Sequence, residues 1–223
     1  FAGVTGLCQQ TGRPLKPMAT SIPLHTQPVL TPEDEARRDC YAMLARLFYA
    51  APDQTLLNTV AMAGSTDGDG DVAKALHALA LAARVADPIE EHQRFDDLFI
   101  GTGKAPVTPY LSHYLVESGR EKILVRLRDD LTALGLARKE SAREPEDHIA
   151  GLCELMRHLV GQGSGEASLA RQREIFERYL ARGFGPLCEV VRAAADPGPF
   201  FVALANFANA FLSVEAESFA MLE

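Results

Sequence analysis

From Thr31 onward, apolar residues recur at the three- and four-residue spacing of α-helices. The first such stretch forms one apolar face that extends to about Ala50. Before it, Thr31-Pro32-Glu33-Asp34 supplies an N-cap hydroxyl, a proline in the first turn and acids at the positive end of the helix dipole. These features predict a first core helix.

Similar start signals predict further helices along the chain. Asp53 is expected to cap a short helix that ends near Met62, and Asp87 to cap the helix that carries Phe95. Ser118-Gly119-Arg120-Glu121 has the pattern of a capping box, and Pro145 is expected to open a later helix. The remaining predicted helices cover residues 72–86, about 166–182, 186–195 and a phenylalanine-rich stretch after Pro199.

The composition favours the same fold class. Ala and Leu total 61 residues, whereas the β-branched Val and Ile total 19. Helices favour the first pair and strands the second. The sequence contains no internal repeat, and its composition does not change in a way that would mark a second domain. We therefore predict an all-α fold, a single multi-helix domain of about nine or ten helices.

The chain divides by charge into a short leader and an acidic body. Residues 1–31 contain two basic residues and no acid, so the net charge of −8 becomes −10 over the remaining residues. Glycines and prolines break any helical period there, and the pattern of a signal peptide is missing. We predict that residues 1–30 are a flexible or non-native leader to a domain over 31–223, with Met18 as the natural start.

Charge and cysteine usage exclude several classes of protein. The acidity disfavours nucleic-acid binding, which depends on neutralising phosphates, but is compatible with a basic partner. No apolar run approaches the roughly 20 residues of a membrane span. Four widely spaced cysteines predict reduced thiols in a cytoplasmic protein. Arg37-Arg38 falls inside the first helix, so we expect both on its solvated face rather than in an export signal.

Candidate chemistry centres on a few acids and histidines. The two Glu-x-x-His pairs of a di-iron site are missing from the sequence. A metal-dependent hydrolase would use His92, Asp97, Asp147 and His148. Alternatively, Asp147 sits in the first turn of its helix to accept backbone N–H bonds, and His148 borders its apolar face. The residues alone leave structural and binding roles open.

Two motifs separated by an unusual proline segment carry a family resemblance. The first motif is Phe95-x-x-Leu98-Phe99-x-Gly101, the proline segment is residues 104–114, and the second motif is Glu144-Pro145-Glu146-Asp147-His148-Ile149. Together with Tyr-Ala-Met-Leu-Ala-Arg-Leu-Phe at 41–48, they resemble the TorD/DmsD/NarJ family of molybdoenzyme maturation chaperones. The resemblance covers residues 31–222. Within the family, the residues of these motifs are most similar to those of members associated with formate dehydrogenase.

The resemblance implies a cytoplasmic, all-helical, non-enzymatic chaperone. It would bind the twin-arginine leader of an apo-molybdoenzyme of the formate dehydrogenase or DMSO/TMAO reductase type, assist molybdenum cofactor insertion and delay export. The implied peptide-binding residues are Phe95, Leu98, Phe99, Gly101, Pro109, Tyr110, Ser112, Tyr114, Glu144, Asp147 and His148. The chain has no tryptophan, unlike some members, so no tryptophan contact is carried over.

A leader peptide presents two arginines beside an apolar stretch, so its receptor needs carboxylates beside an apolar groove. The acidic candidates near the motifs are Glu91, Asp96, Asp97, Glu144, Glu146 and Asp147. No resident metal or cofactor is expected, and transient contact with molybdopterin or guanine nucleotide stays open, as does a monomer or a dimer. The competing hypotheses are the hydrolase and a permanent structural subunit of an oxidoreductase complex.

Overall fold

The structure, a computed structural model, describes residues 29–64, 68–101, 105–138 and 144–222. Residues 1–28, which make up most of the predicted leader and include Met18, lie outside the described residues. The boundary between leader and domain therefore stays a prediction.

Ten α-helices make up the described part of the chain, and no β-strand occurs there. Two π-helical turns continue α4 and α8, over Asp96–Ile100 and Phe176–Leu180. The all-α, single-domain prediction is confirmed. The helices are α1 Pro32–Tyr49, α2 Gln54–Ala63, α3 Asp71–Val85, α4 Pro88–Phe95, α5 Ser112–Leu115, α6 Arg120–Ala133, α7 Ile149–Val160, α8 Glu166–Ile175, α9 Phe184–Ala193 and α10 Gly198–Ala220.

Local capping chemistry determines three helix starts as predicted. The side chains of Thr31, Asp53 and Asp87 each accept a backbone N–H at the start of α1, α2 and α4. Two predicted starts are wrong. Gly119, at φ 77°, is the N-cap of α6 in place of Ser118, because the chain enters that helix through a left-handed turn. α7 begins at Ile149 rather than Pro145.

The helices pack around a core dominated by α10. α1 lies against α7, and α10 packs against α3 and α9. α10 buries Phe200, Phe201, Phe207 and Phe211, as its phenylalanine content predicts. By length and composition alone α10 could cross a membrane, which corrects the expectation that no apolar stretch approaches a span. Of the most apolar part of α10, 56% is buried inside the structure, as in the core helix of a folded domain.

Arg37 forms a buried polar network that ties α1 to α8 and α10. Its guanidinium donates to both carboxylate oxygens of Glu215, at 2.7 and 2.9 Å, and to Oε1 of Gln172 at 3.0 Å. Tyr41 donates to the same Glu215 carboxylate at 2.8 Å. The placement of Arg37 on a solvated face is therefore wrong, because α8 and α10 cover that side of α1.

Removing one partner of this network should destabilise the fold. We expect Arg37→Met to lower the free energy of unfolding by about 3 kcal/mol, since Glu215 would remain buried without its counter-ion. Arg38→Met is the matched control: that side chain is more exposed and meets only its neighbour Asp39, at 3.8 Å, among the ion pairs described. Its effect should stay within about 0.5 kcal/mol. Equal losses in urea denaturation of the two variants would contradict a structural role for the Arg37 network.

Candidate functional site

The proline segment and the second motif pair through their backbones. Leu111 N–H donates to the Asp147 carbonyl and Ile149 N–H donates to the Pro109 carbonyl, both at 2.9 Å. These bonds flank an isolated antiparallel bridge between Tyr110 and His148. Pro109 also disfavours helical geometry at the preceding residue, Thr108, which helps to keep this segment out of a helix. The two parts of the sequence that carry the family resemblance are therefore in direct contact.

His148 is the N-cap of α7. Its Nδ1 accepts the backbone N–H of Ala150 at 3.1 Å, so this nitrogen is unprotonated in the cap. The ring is 6% exposed and meets the rings of Tyr110 and Tyr49 edge to face, with centroids 5.5 and 6.4 Å away. Burial lowers the pKa of His148, although the charges of Glu144 and Asp147 oppose this shift.

The prediction that Asp147 lies in the first turn of this helix is wrong, because Asp147 precedes the cap and is buried. The pairing with the proline segment delays the helix start, because the Asp147 carbonyl and the Ile149 N–H are engaged with residues 111 and 109. The chain thus uses the imidazole of the second motif, rather than its aspartate, as the capping acceptor.

The tyrosines of the proline segment fasten it to its surroundings. Tyr110 donates its hydroxyl to Oε2 of Glu144, and burial together with this bond raises the pKa of Tyr110 to about 12. Tyr114 donates to the carbonyl of Thr108 at 2.9 Å. Burial raises the pKa of Tyr114 to about 12 as well. Both hydroxyls are therefore neutral donors at physiological pH, and Ser112 is buried beside them in α5.

The first motif lies in the core beneath the proline segment. Phe95, Leu98 and Phe99 are all buried, and the two phenylalanines contact Phe201 of α10. Gly101 ends the π-helical turn at φ 63°, a conformation that side chains disfavour. The Leu98 carbonyl then accepts the N–H of Val107 at 3.0 Å. The structure places this motif as support for the proline segment, and its predicted peptide contacts stay predictions.

Most of the acidic candidates already have partners. Glu91 is buried and pairs with Arg94 at 2.6 Å, while Asp96 lies 3.7 Å from His92 and Asp97 accepts from Gln93. These three acids belong to α4 and its π-helical turn. Glu144 and Glu146 lie elsewhere, at the second motif, where they accept hydrogen bonds from Tyr110 and Arg128 respectively.

A groove runs along the exposed side of the second motif and α7. It consists of two adjoining cavities of about 290 and 400 Å³ that share Arg138, Glu146, Gly151 and Glu154. We call this pair of cavities the α7 groove. Its smaller cavity is lined by Ala45, Arg46, Tyr49, Arg138, Glu144, Pro145, Glu146, His148, Ala150, Gly151 and Glu154. Of the predicted site residues, Glu144 and His148 line it directly.

Tyr49 and Glu154 are groove residues that sequence reasoning missed. Tyr49 ends α1 with 54% of its surface exposed, beside the fully buried Phe48. The sequence contains only a weak signal, because adjacent aromatic residues on a helix can point in different directions but can also both be buried, as Phe200 and Phe201 of α10 are. Glu154 lines both cavities, and its position on α7 gave no such signal, since an exposed helical glutamate is common.

The residues of the hydrolase hypothesis do not form a metal site. Within the described ranges, no three His, Cys, Asp or Glu side chains are grouped so that they could hold a metal ion. His92 and Asp97 are exposed on α4 and its π-helical turn, whereas Asp147 and His148 are buried at the start of α7.

The paired motifs coincide with a family match. A family model described as "Nitrate reductase delta subunit" matches residues 66–189, more than half of the chain, and this range contains both motifs and the proline segment. The chain belongs to this family. It is the TorD/DmsD/NarJ family that the motifs indicate.

Two curated relatives of this family member are both named "Chaperone protein TorD". The protein from Photobacterium profundum is 28% identical over 130 residues, covering 55% of this chain and 60% of the relative. The protein from Aliivibrio fischeri is 31% identical over 104 residues, covering 46% of each chain. The matched part thus spans about half the length of these relatives. Their names support the prediction that the chain is not an enzyme.

The buried cap at His148 should make the stability of this family member depend on pH. Because the fold lowers the pKa of His148 below its usual value near 6.5, the unfolded chain binds the proton more readily. Stability should therefore fall as pH decreases through about 6.5. His148→Asn keeps a capping side chain but does not titrate, so it should lose less stability than the parent between pH 7.5 and 5.5.

The comparison uses urea midpoints at both pH values. The other histidines are common to both proteins, so their contributions cancel. His148→Ala should cost about 1 kcal/mol at pH 7.5 through loss of the cap. An identical pH response in the parent and His148→Asn would show that His148 titrates normally in the fold.

Proposed function

We propose that this protein is a cytoplasmic, non-enzymatic maturation chaperone that binds the twin-arginine leader of an apo-molybdoenzyme in the α7 groove. Family membership and two relatives named as chaperones support the general role. The observation that carries the site is the backbone pairing of Tyr110 with His148, which joins both parts of the family pattern beside one groove.

The groove has the chemistry that such a leader requires. A twin-arginine leader presents two guanidinium groups next to an apolar stretch. Glu144, Glu146 and Glu154 supply carboxylates along the groove, while Tyr49 supplies an exposed aromatic surface in the same cavity. Guanidinium–carboxylate contacts are strong and directional, and an aromatic anchor contributes apolar area at a low cost in conformational entropy.

The charge of the whole body assists the encounter. Residues 32–223 of this chain carry a net charge of −10. This charge attracts a basic peptide and raises its association rate at low ionic strength. This long-range attraction is screened within about 8 Å at physiological salt, so the contacts inside the groove must supply the specificity.

In this proposal the protein holds its client while the molybdenum cofactor is inserted and delays export until folding is complete. The client is of the formate dehydrogenase or DMSO/TMAO reductase type. The amino-acid sequence of the motifs favours the formate dehydrogenase subgroup. The protein itself holds no resident cofactor in this proposal.

A synthetic twin-arginine leader from a molybdoenzyme encoded beside this gene should bind the full chain in calorimetry. The same peptide with both arginines changed to lysine should bind at least tenfold more weakly, because lysine cannot form the bidentate contact. Affinity should fall as salt rises. If leaders from every molybdoenzyme of the host fail to bind, the proposed function is wrong.

Truncation of the exposed groove aromatic should weaken this binding. We expect Tyr49→Ala to reduce the affinity for the leader about tenfold, since buried aromatic anchors dominate many peptide interfaces. Met62→Ala is the matched control, because Met62 is also an exposed apolar side chain but lies on α2 outside the groove. Both variants should keep the parent melting temperature. Equal affinities for Tyr49→Ala and Met62→Ala would place the leader elsewhere.

One alternative keeps a specific observation in its favour. The matching family model is described as a subunit, which fits a protein that stays bound to the mature enzyme. Purification from the native host distinguishes the two: a chaperone captures the precursor that retains its leader, whereas a structural subunit elutes with the mature enzyme. The hydrolase has no comparable support, since its residues do not converge.

A further inference from the structure

Two arginines of the chain already converge on one carboxylate of the α7 groove. Arg128 donates from two nitrogens to the two oxygens of Glu146, each at 3.0 Å. Arg138 places its Nε 3.3 Å from Oε1 of the same carboxylate. The Glu146 side chain is only 8% exposed, while those of Arg128 and Arg138 are 54% and 40% exposed. Glu146 is therefore a sheltered acceptor approached by two guanidinium groups from solvent.

The two arginines differ in their relation to the groove. Arg128 belongs to α6 and lines neither cavity, whereas Arg138 follows α6 and lines both. The fork of Arg128 engages both carboxylate oxygens, which is the stronger geometry for this pair of groups. A carboxylate can accept further hydrogen bonds beyond one such fork. Arg138 thus occupies a further acceptor position of Glu146, and both residues line the groove.

We propose that Glu146 is a guanidinium subsite of the α7 groove and that Arg138 fills it as an internal substitute for an arginine of the incoming peptide. This inference rests on the proposed function. Binding is then an exchange of ion pairs, in which a peptide arginine takes the position of Arg138 at Glu146 while Arg128 stays bound. Because Arg138 competes for this subsite, the chain lowers its own affinity for arginine-bearing peptides.

Such an exchange also avoids a large cost. Throughout the exchange Arg128 remains the counter-ion of the sheltered Glu146 carboxylate, so this carboxylate is never left as an unpaired desolvated charge, which would be unfavourable. Burial alone would raise the pKa of Glu146, but the two arginines lower it, so the carboxylate stays ionised and ready to accept a guanidinium. Arg138 therefore only occupies a further acceptor position of this ionised carboxylate until a peptide arrives.

The test measures binding of the synthetic twin-arginine leader to the full chain by calorimetry. We expect Arg138→Gln to tighten binding about fivefold, the scale of an exposed ion pair that no longer competes. Arg46→Gln is the control, because Arg46 also lines the groove and takes part in none of the ion pairs among the described residues. It removes the same charge from the same groove without emptying the Glu146 subsite. If both variants raised the affinity for the leader equally, the change in net charge would explain the effect, and the inference would be overturned.

A double substitution separates competition from other effects of Arg138. In a Glu146→Gln background the subsite accepts no ion pair, so Arg138→Gln should bring no further gain. A full fivefold gain in that background would also overturn the inference. If the parent binds the leader and Arg138→Gln changes nothing, this inference fails and the proposed function stands. If neither binds, both fail.

Discussion

Two backbone hydrogen bonds between residues 109–111 and 147–149 hold the site together. They pair an extended proline segment with the start of α7, across a separation of nearly 40 residues. Because α7 packs on α1, the same pairing brings His148 to Tyr49 and closes one wall of the groove. Each bond contributes only about 1 kcal/mol, but an unmade pair in this buried place would cost more. This pairing therefore positions the wall of the groove that His148 and Tyr49 form.

The prolines make this pairing available. Pro106 and Pro109 prevent a continuous helix, so residues 105–111 have backbone groups that no helix satisfies. Pro109 contributes only its carbonyl, the one polar backbone group it has, and Ile149 uses it. Below the segment, the first motif supplies the apolar support and the Leu98 carbonyl for Val107. Sequence features that look separate thus form one layered structure from the phenylalanine core outward.

Features of local origin were predictable, and those that depend on distant residues were not. Thr31, Asp53 and Asp87 cap their helices through bonds to residues two or three positions away, so their patterns were sufficient. Pro145 failed as a helix start because the backbone beside it pairs with residues 109 and 111. Arg37 was assigned to solvent because its partner, Glu215, is 178 positions further along the chain. Membership of the site was predictable for Glu144 and His148, which the motifs mark, but not for Glu154.

The acidity of the protein overstates the free negative charge that a basic peptide would meet. Glu91 is matched by Arg94, Glu215 by Arg37, and Glu146 by two arginines. Even in the α7 groove, acids alternate with Arg46, Arg138 and Arg157. Recognition of arginines there must consist largely of replacing one ion pair with another. Exchange yields a modest net free energy, because each new contact displaces an old one, and affinity then depends on geometry and aromatic contact more than on total charge.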